Sequence, residues 1–308
     1  MWVENLAASL GLVVTPAEVG FNGQSVQCPA AAVPALATTC TAYGQGGARV
    51  TDPNGIGKPE GALTVPLVTQ VANHLARFGS FTSSDLILVY GGNNDVFIQF
   101  GGFAAAAAQI QADAAAGLLT PDQANLALFN AQQTAQEAMK TAALELATLV
   151  KTQILANGGR YVAVMTLSDI ADTPFGNSPS VTPARSVLTA LSQTFNLWLR
   201  EGLTGEPVQI IDTYALFKDG YANPAQFGIV NNTDVACDPA KIQAVTGGAV
   251  TDGSSLFCNA TPGAPYNTIA TGADVNTWQF ADSVHPTTGG HKIISDAFAA
   301  QLHAFGWI

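Results

Sequence analysis

The chain has 308 residues, with 11 Lys plus Arg against 22 Asp plus Glu and a net charge of −11. Only 11% of residues are charged and 48% are hydrophobic, the reverse of a disordered composition. There is no basic footprint to displace phosphate counterions, so nucleic acid is excluded as a partner. The longest apolar run, Ala104 to Ala108, falls far short of the ~20 residues needed for a transmembrane segment.

Met1 to Val14 carries Glu4 and no Lys or Arg, so it is not read as a signal peptide; that segment is not in this chain. Val3, Leu6 and Leu10, with Ala7, recur at helical spacing and predict an amphipathic helix. Asp85 to Tyr90 is an apolar run without clean alternation, as a strand covered on both faces requires. An Ala-rich helix is expected from about Phe103. Thr120 before Pro121 is a capping hydroxyl followed by proline at the first helical position, and predicts a helix to about Ala156, ended by Asn157-Gly158-Gly159. Arg160 to Leu167 and Pro207 to Ile211 are two further buried-strand candidates. Thr182-Pro183 opens a helix to about Leu199, and Thr287 or Thr288 opens the last, to about Ala304. Between them, Asn223 to Val275 reads as a long irregular loop.

Strands alternating with helices predict an α/β fold with a doubly wound parallel sheet, in one domain over residues 1–308. The four cysteines fall in Gly/Pro/Thr/Asn-rich stretches and match no zinc spacing, so no metal is expected. Proximity favours the pairs Cys28–Cys40 and Cys237–Cys258 among three connectivities, and disulfides would place the chain outside a reducing compartment: secreted, periplasmic or at the cell surface. The alternative is four free thiols.

Three constellations can carry chemistry. In Phe280-Ala281-Asp282-Ser283-Val284-His285-Pro286-Thr287, a carboxylate three residues before an imidazole can fix its tautomer and stabilise the imidazolium. The plain alternative is a histidine satisfied locally at a helix start. Gly91-Gly92-Asn93-Asn94-Asp95 follows the Asp85–Tyr90 strand, where ligands bind in such sheets; an Asn amide there can donate to an oxyanion, or simply cap a helix. Tyr43-Gly44-Gln45-Gly46-Gly47-Ala48-Arg49 can present a backbone N–H to negative charge, or be an ordinary loop. No Walker or dinucleotide fingerprint occurs, and no cofactor is expected.

Taken together these motifs make the chain resemble the SGNH (GDSL-type) hydrolases, most closely the bacterial lipolytic branch that includes autotransporter esterase passengers. Gly46-Gly47-Ala48 matches the second block, with Ala42 where an Asn is usual; Gly92 to Asp95 matches the third, and Asp282 to Thr287 the fifth. Phe195-Asn196, Asp212 to Phe217 and Ala222-Asn223-Pro224 also look familiar. The resemblance implies a three-layer, flavodoxin-like α/β/α sheet and a serine hydrolase of short- to medium-chain acyl esters. His285 would be the base, Asp282 its partner, and Gly47 and Asn94 the oxyanion hole. Phe97, Phe100 and Phe103 are candidates to line an acyl site, with core packing as the alternative for each.

The family's first block, a strand ending in Gly-Asp-Ser with the nucleophile, has no counterpart: no Gly-Asp-Ser-Leu occurs in the sequence, and Gly253-Ser254-Ser255 is no substitute. Ser283 is close in sequence to the pair but cramped as a substitute nucleophile. The first central strand is therefore expected to be missing. Its neighbours must re-pair, or an upstream segment or a second copy must complete the sheet. The alternatives to a truncated or impaired esterase are a non-catalytic binding or assembly module and a carbohydrate deacetylase.

Overall fold

The computed structural model describes residues 1–263 and 267–308; residues 264–266, inside the expected long loop, lie outside the described residues. Helix α1 (Trp2–Ser9) precedes strands β1 (Thr15–Pro16), β2 (Glu18–Phe21), β3 (Gln24–Gln27) and β4 (Cys40–Ala42). Next come α2 (Leu67–Phe78), β5 (Leu86–Val89), α3 (Asn93–Ala115), α4 (Pro121–Leu149), β6 (Tyr161–Met165), α5 (Arg185–Gly202) and β7 (Gln209–Ile211). Helix α6 (Thr213–Ala222), β8 (Asn231–Val235), α7 (Pro239–Val245), β9 (Trp278–Phe280) and α8 (Thr288–Ala304) follow. The chain is α/β with parallel strand pairing. It divides into two compact units, one of residues 1–12, 169–185 and 215–308, the other of residues 13–168 and 186–214.

The second unit holds a parallel sheet in the order β5-β6-β7, registered Leu86 to Tyr161 and Ala163 to Gln209. Its middle strand is apolar and fully covered from Val162 to Met165, as a strand paired on both sides and packed on both faces must be. β5 departs from expectation: Leu86, Ile87 and Leu88 are only half-buried, because β5 is an edge that, among the described residues, pairs with β6 alone. The strand before it in the body of this unit, β4, does not re-pair with β5. It joins β1 in a separate two-stranded parallel sheet, Thr15 opposite Cys40. β2 and β3 form a hairpin turned by Asn22 and Gly23, both at positive φ, a turn signal absent from the sequence reading.

Helix α3 starts at Asn93 rather than near Phe103. Gly101 and Gly102 weaken a helix by about 1 kcal/mol each, but buried Val96, Phe100 and Phe103 anchor the turns on either side. Helix α4 starts as predicted: Thr120 Oγ1 accepts from Gln123 N–H and Gln123 Oε1 accepts from Thr120 N–H, a reciprocal cap. The helix widens over Val150–Ile154 and ends before Gly158 at φ +99.

In the first unit, α1 packs on α8, with the Trp2 and Phe298 rings edge-on at 5.0 Å and Leu6 buried. The expected irregular loop from Asn223 to Val275 contains both β8 and α7, a correction to the sequence reading. Asp238-Pro239 starts α7, the carboxylate accepting from Ala240 and Lys241 N–H. Cys28–Cys40 and Cys237–Cys258 are both disulfides, with Cα–Cα separations of 5.3 and 5.7 Å. Among the described residues no helix is long and apolar enough to cross a membrane.

Candidate active site

In the first unit, β9 runs beside β8 and ends at Phe280, and the chain then turns back on itself. Ala281 N–H donates to His285 O at 2.8 Å, and Thr287 N–H to Gln279 O at 3.0 Å. This closes a tight turn whose tip is Asp282 to His285. Thr287 caps α8, its hydroxyl accepting from Gly290 N–H at 3.1 Å, so the imidazole sits just ahead of a helix start. The Asp282 carboxylate is buried and accepts three backbone N–H groups: Val284 at 3.0 Å, His285 at 2.7 Å and Ser255 at 2.8 Å. His285 Nδ1 lies 3.0 and 2.9 Å from the two carboxylate oxygens. With Nδ1 engaged and 64% of the side chain exposed, Nε2 is left for another partner. That is the arrangement a general base needs.

The electrostatics follow from these contacts. Burial opposes charge on Asp282, but the His285 ring and the backbone donors outweigh it and hold the carboxyl well below the usual carboxylate range. The bond to Asp282 raises the His285 imidazole above the ordinary histidine value, against burial. On α8, His291 behaves oppositely. Burial, with the Met1 amine and His285 nearby, pushes it down to about 4, and its buried Nδ1 has no hydrogen-bond partner among the described residues.

These directions fix the pH dependence. His285, raised in the fold, contributes stability fully below the ordinary histidine value and loses it as pH rises through its folded value. Asp282, depressed, contributes above the ordinary carboxylate value and loses it as pH falls through its folded value. His291 resists protonation in the fold, so it destabilises as pH drops below ~6.5. His291→Gln is therefore expected to lose less stability than the parent between about pH 7 and about pH 5, by on the order of 1 kcal/mol after solvent screening. Thermal unfolding at the two pH values measures this, and equal losses would refute it.

The second unit brings the other two motifs together. Gly47 lies at φ +75, and a Cβ there would come 2.0 Å from Ile56 O, so only glycine fits this turn. Gly92, at φ +114, sits so close to the Phe195 ring that a Cβ would meet it at 2.6 Å. Asn94 Nδ2 donates to Ala48 O at 2.7 Å. A primary amide has two hydrogens; one holds the Gly47 turn and the second remains for an acceptor such as an oxyanion. Next to it, Asp95 accepts from Arg49 Nε at 2.8 Å and Val50 N–H at 3.1 Å. Burial raises the Asp95 carboxyl from its ordinary value even with Arg49 beside it. Asn196 closes the end of β6, accepting from Leu167 N–H and donating to Leu167 O.

Of the proposed acyl-site aromatics, Phe100 and Phe103 are buried in the core with rings 6.5 Å apart, while Phe97 is half-buried. Ser283 is exposed, and its carbonyl accepts from Phe175 N–H at 2.9 Å. Two contributors were missed by sequence reasoning. The Arg49–Asp95 pair joins residues far apart in the chain, although both were inside motifs already singled out. Ser255 acts through its backbone, which no residue type announces.

No family model matches the chain. It is 32% identical over 149 residues to "Esterase EstA" of Pseudomonas aeruginosa, an alignment covering 47% of this chain and 20% of that protein. Esterase EstA of Pseudomonas putida matches with the same identity and the same coverage. The chain thus spans about a fifth of the length of the curated relatives to which it is similar.

Proposed function

We propose that this chain is the base-and-oxyanion part of a serine-type carboxylic ester hydrolase of the SGNH kind, acting on short- to medium-chain acyl esters outside a reducing compartment. The observation that carries the reading is the Asp282–His285 pair: a buried carboxylate on Nδ1 of an exposed imidazole. The similarity to the two esterases and the two disulfides support it. In this mechanism a serine Oγ–H gives its proton to His285 Nε2 as the Oγ–acyl carbon bond forms, and the carbonyl electrons move onto oxygen. Gly47 N–H and the Asn94 amide are assigned to that oxyanion. Its collapse expels the alkoxide, which takes the proton from the imidazolium, and water repeats the sequence on the acyl-enzyme.

The nucleophile is proposed to come from a Gly-Asp-Ser strand outside these 308 residues. The open edge of β5, with half-buried Leu86, Ile87 and Leu88, supports this, since an edge with free backbone groups accepts an added strand. The test supplies such a strand, as a longer chain or a peptide added in trans. The 308 residues alone are expected to hydrolyse p-nitrophenyl butyrate poorly and to escape a fluorophosphonate probe, and the strand to restore both. Stoichiometric labelling of one serine in this chain would name a different nucleophile. No turnover of butyrate or of acetylated sugar in either form would replace the hydrolase with a binding module.

A further inference from the structure

One donor to the Asp282 carboxylate comes from outside its own turn. Val284 and His285 N–H both hold Oδ1, whereas the only backbone N–H on Oδ2 among the described residues is that of Ser255, 27 residues away in sequence. Ser255 opens a single helical turn, Ser255–Phe257, and the following Cys258 is bonded to Cys237. Cys237 N–H donates to Ala281 O at 2.9 Å, and Ala281 immediately precedes Asp282. The disulfide therefore ties the chain that carries Asp282 to the turn that carries Ser255. That turn has little packing of its own: Leu256 is 87% exposed and Phe257 48%. Beyond the cysteine, Thr268 supports the segment through Phe257 O and Asn259 N–H.

We propose that the Ser255 N–H, held by the Cys237–Cys258 disulfide, is a positioning group that fixes the Asp282 carboxylate with both oxygens toward His285 Nδ1 and so sets the basicity of the imidazole. The inference deepens the assignment of His285 as general base and rests on it. Without the Ser255 donor nothing holds Oδ2 in place, the carboxylate is free to turn about its bond to Cβ, and it no longer meets Nδ1 with both oxygens, which loosens the pair. The titratable groups facing His285 are Asp282 on its own turn and His291 on α8, with Glu4 and the Met1 amine beyond His291.

Ser255→Pro removes this N–H and leaves the disulfide in place. The position is the first of its helical turn, where proline is tolerated, and the ring carbon that replaces the hydrogen also takes the space 2.8 Å in front of the nitrogen that Oδ2 holds, so the carboxylate must turn away. The preceding Ser254, at φ −49 and ψ 130, already has the extended conformation that a following proline requires. Ser255→Ala keeps the N–H. The readout is the NMR titration of the His285 imidazole in the folded chain, which needs no turnover and is therefore independent of whether the ester hydrolase reading holds. Ser255→Pro is expected to lower the His285 midpoint by about half a unit toward the ordinary histidine value, and Ser255→Ala to titrate as the parent does. Opening the disulfide with Cys237→Ser and Cys258→Ser is expected to move the midpoint in the same direction as proline. If that double variant fails to fold, the proline and alanine pair decides alone. In a form that turns over ester, Ser255→Pro is expected to lower kcat about tenfold at unchanged KM. An unchanged midpoint in Ser255→Pro, or an equal shift in Ser255→Ala, overturns the proposal.

Discussion

His285→Ala, measured in a form supplied with the nucleophile strand, is expected to lose turnover by about 10⁴-fold or more with little change in KM. The reasoning is that Nε2 both removes the serine proton and returns it to the leaving group, so its loss removes stabilisation present only in the transition state. Asp282→Asn is expected to cost on the order of 10⁴-fold as well, because an amide facing Nδ1 favours the wrong tautomer. The double variant should be scarcely worse than either single one, since the carboxylate acts only through the imidazole. Steady-state kinetics of the four forms provides the measurement. Independent, multiplying losses, or an active His285→Ala enzyme, would reduce the pair to a structural contact at the start of α8.

Asp95→Ala is expected to give the largest loss of stability among the site residues, about 3–5 kcal/mol. Asp95 is 3% exposed and Arg49 13%, so deleting the carboxylate leaves a guanidinium largely out of water, with Asp52 as its remaining acidic partner. It also strands the Val50 N–H, which donates to the same carboxylate. For a chain of this size a fall of roughly 10 °C in melting temperature is expected. Asp95→Asn, which keeps an acceptor, should lose less. Thermal unfolding decides; a loss below about 1 kcal/mol would mean that water replaces the carboxylate and the pair is dispensable.

What was legible in the sequence was local. Asp282 and His285 are three residues apart, so their contact follows from a single turn. Thr120-Pro121 announces its cap within four residues, and each disulfide joins the nearer cysteine. The start of α3 lies earlier than the expected Phe103 because Gly101-Gly102 looks like a break when only propensity is weighed, while the burial that overrides it belongs to the fold. The half-buried flank of β5 is legible only through the absent Gly-Asp-Ser block: an apolar run states what a strand prefers to cover, not which neighbours it has. Ser255 reaches Asp282 through a main-chain N–H that every non-proline residue possesses, so only the disulfide's placement in space reveals it. Asp238-Pro239 and Asn22-Gly23, by contrast, are local signals, a cap ahead of a proline and a hairpin turn pair.

The sheet order carries a consequence for how this chain folds. β5 and β6 are adjacent in space, yet Leu86 and Tyr161 are ~75 residues apart, and closing so long a loop ahead of any reward is slow. The intervening residues are mostly α3 and α4, two long antiparallel helices with local contacts and a reciprocal cap at Thr120. Helices form in about a microsecond, far faster than distant strands pair. Once zipped, the hairpin shortens the effective loop that separates β5 from β6. Refolding of the second unit should therefore follow the fate of the helical hairpin: weakening the cap at Thr120 is expected to slow the appearance of the sheet, although the bonds of the cap run between Thr120 and Gln123.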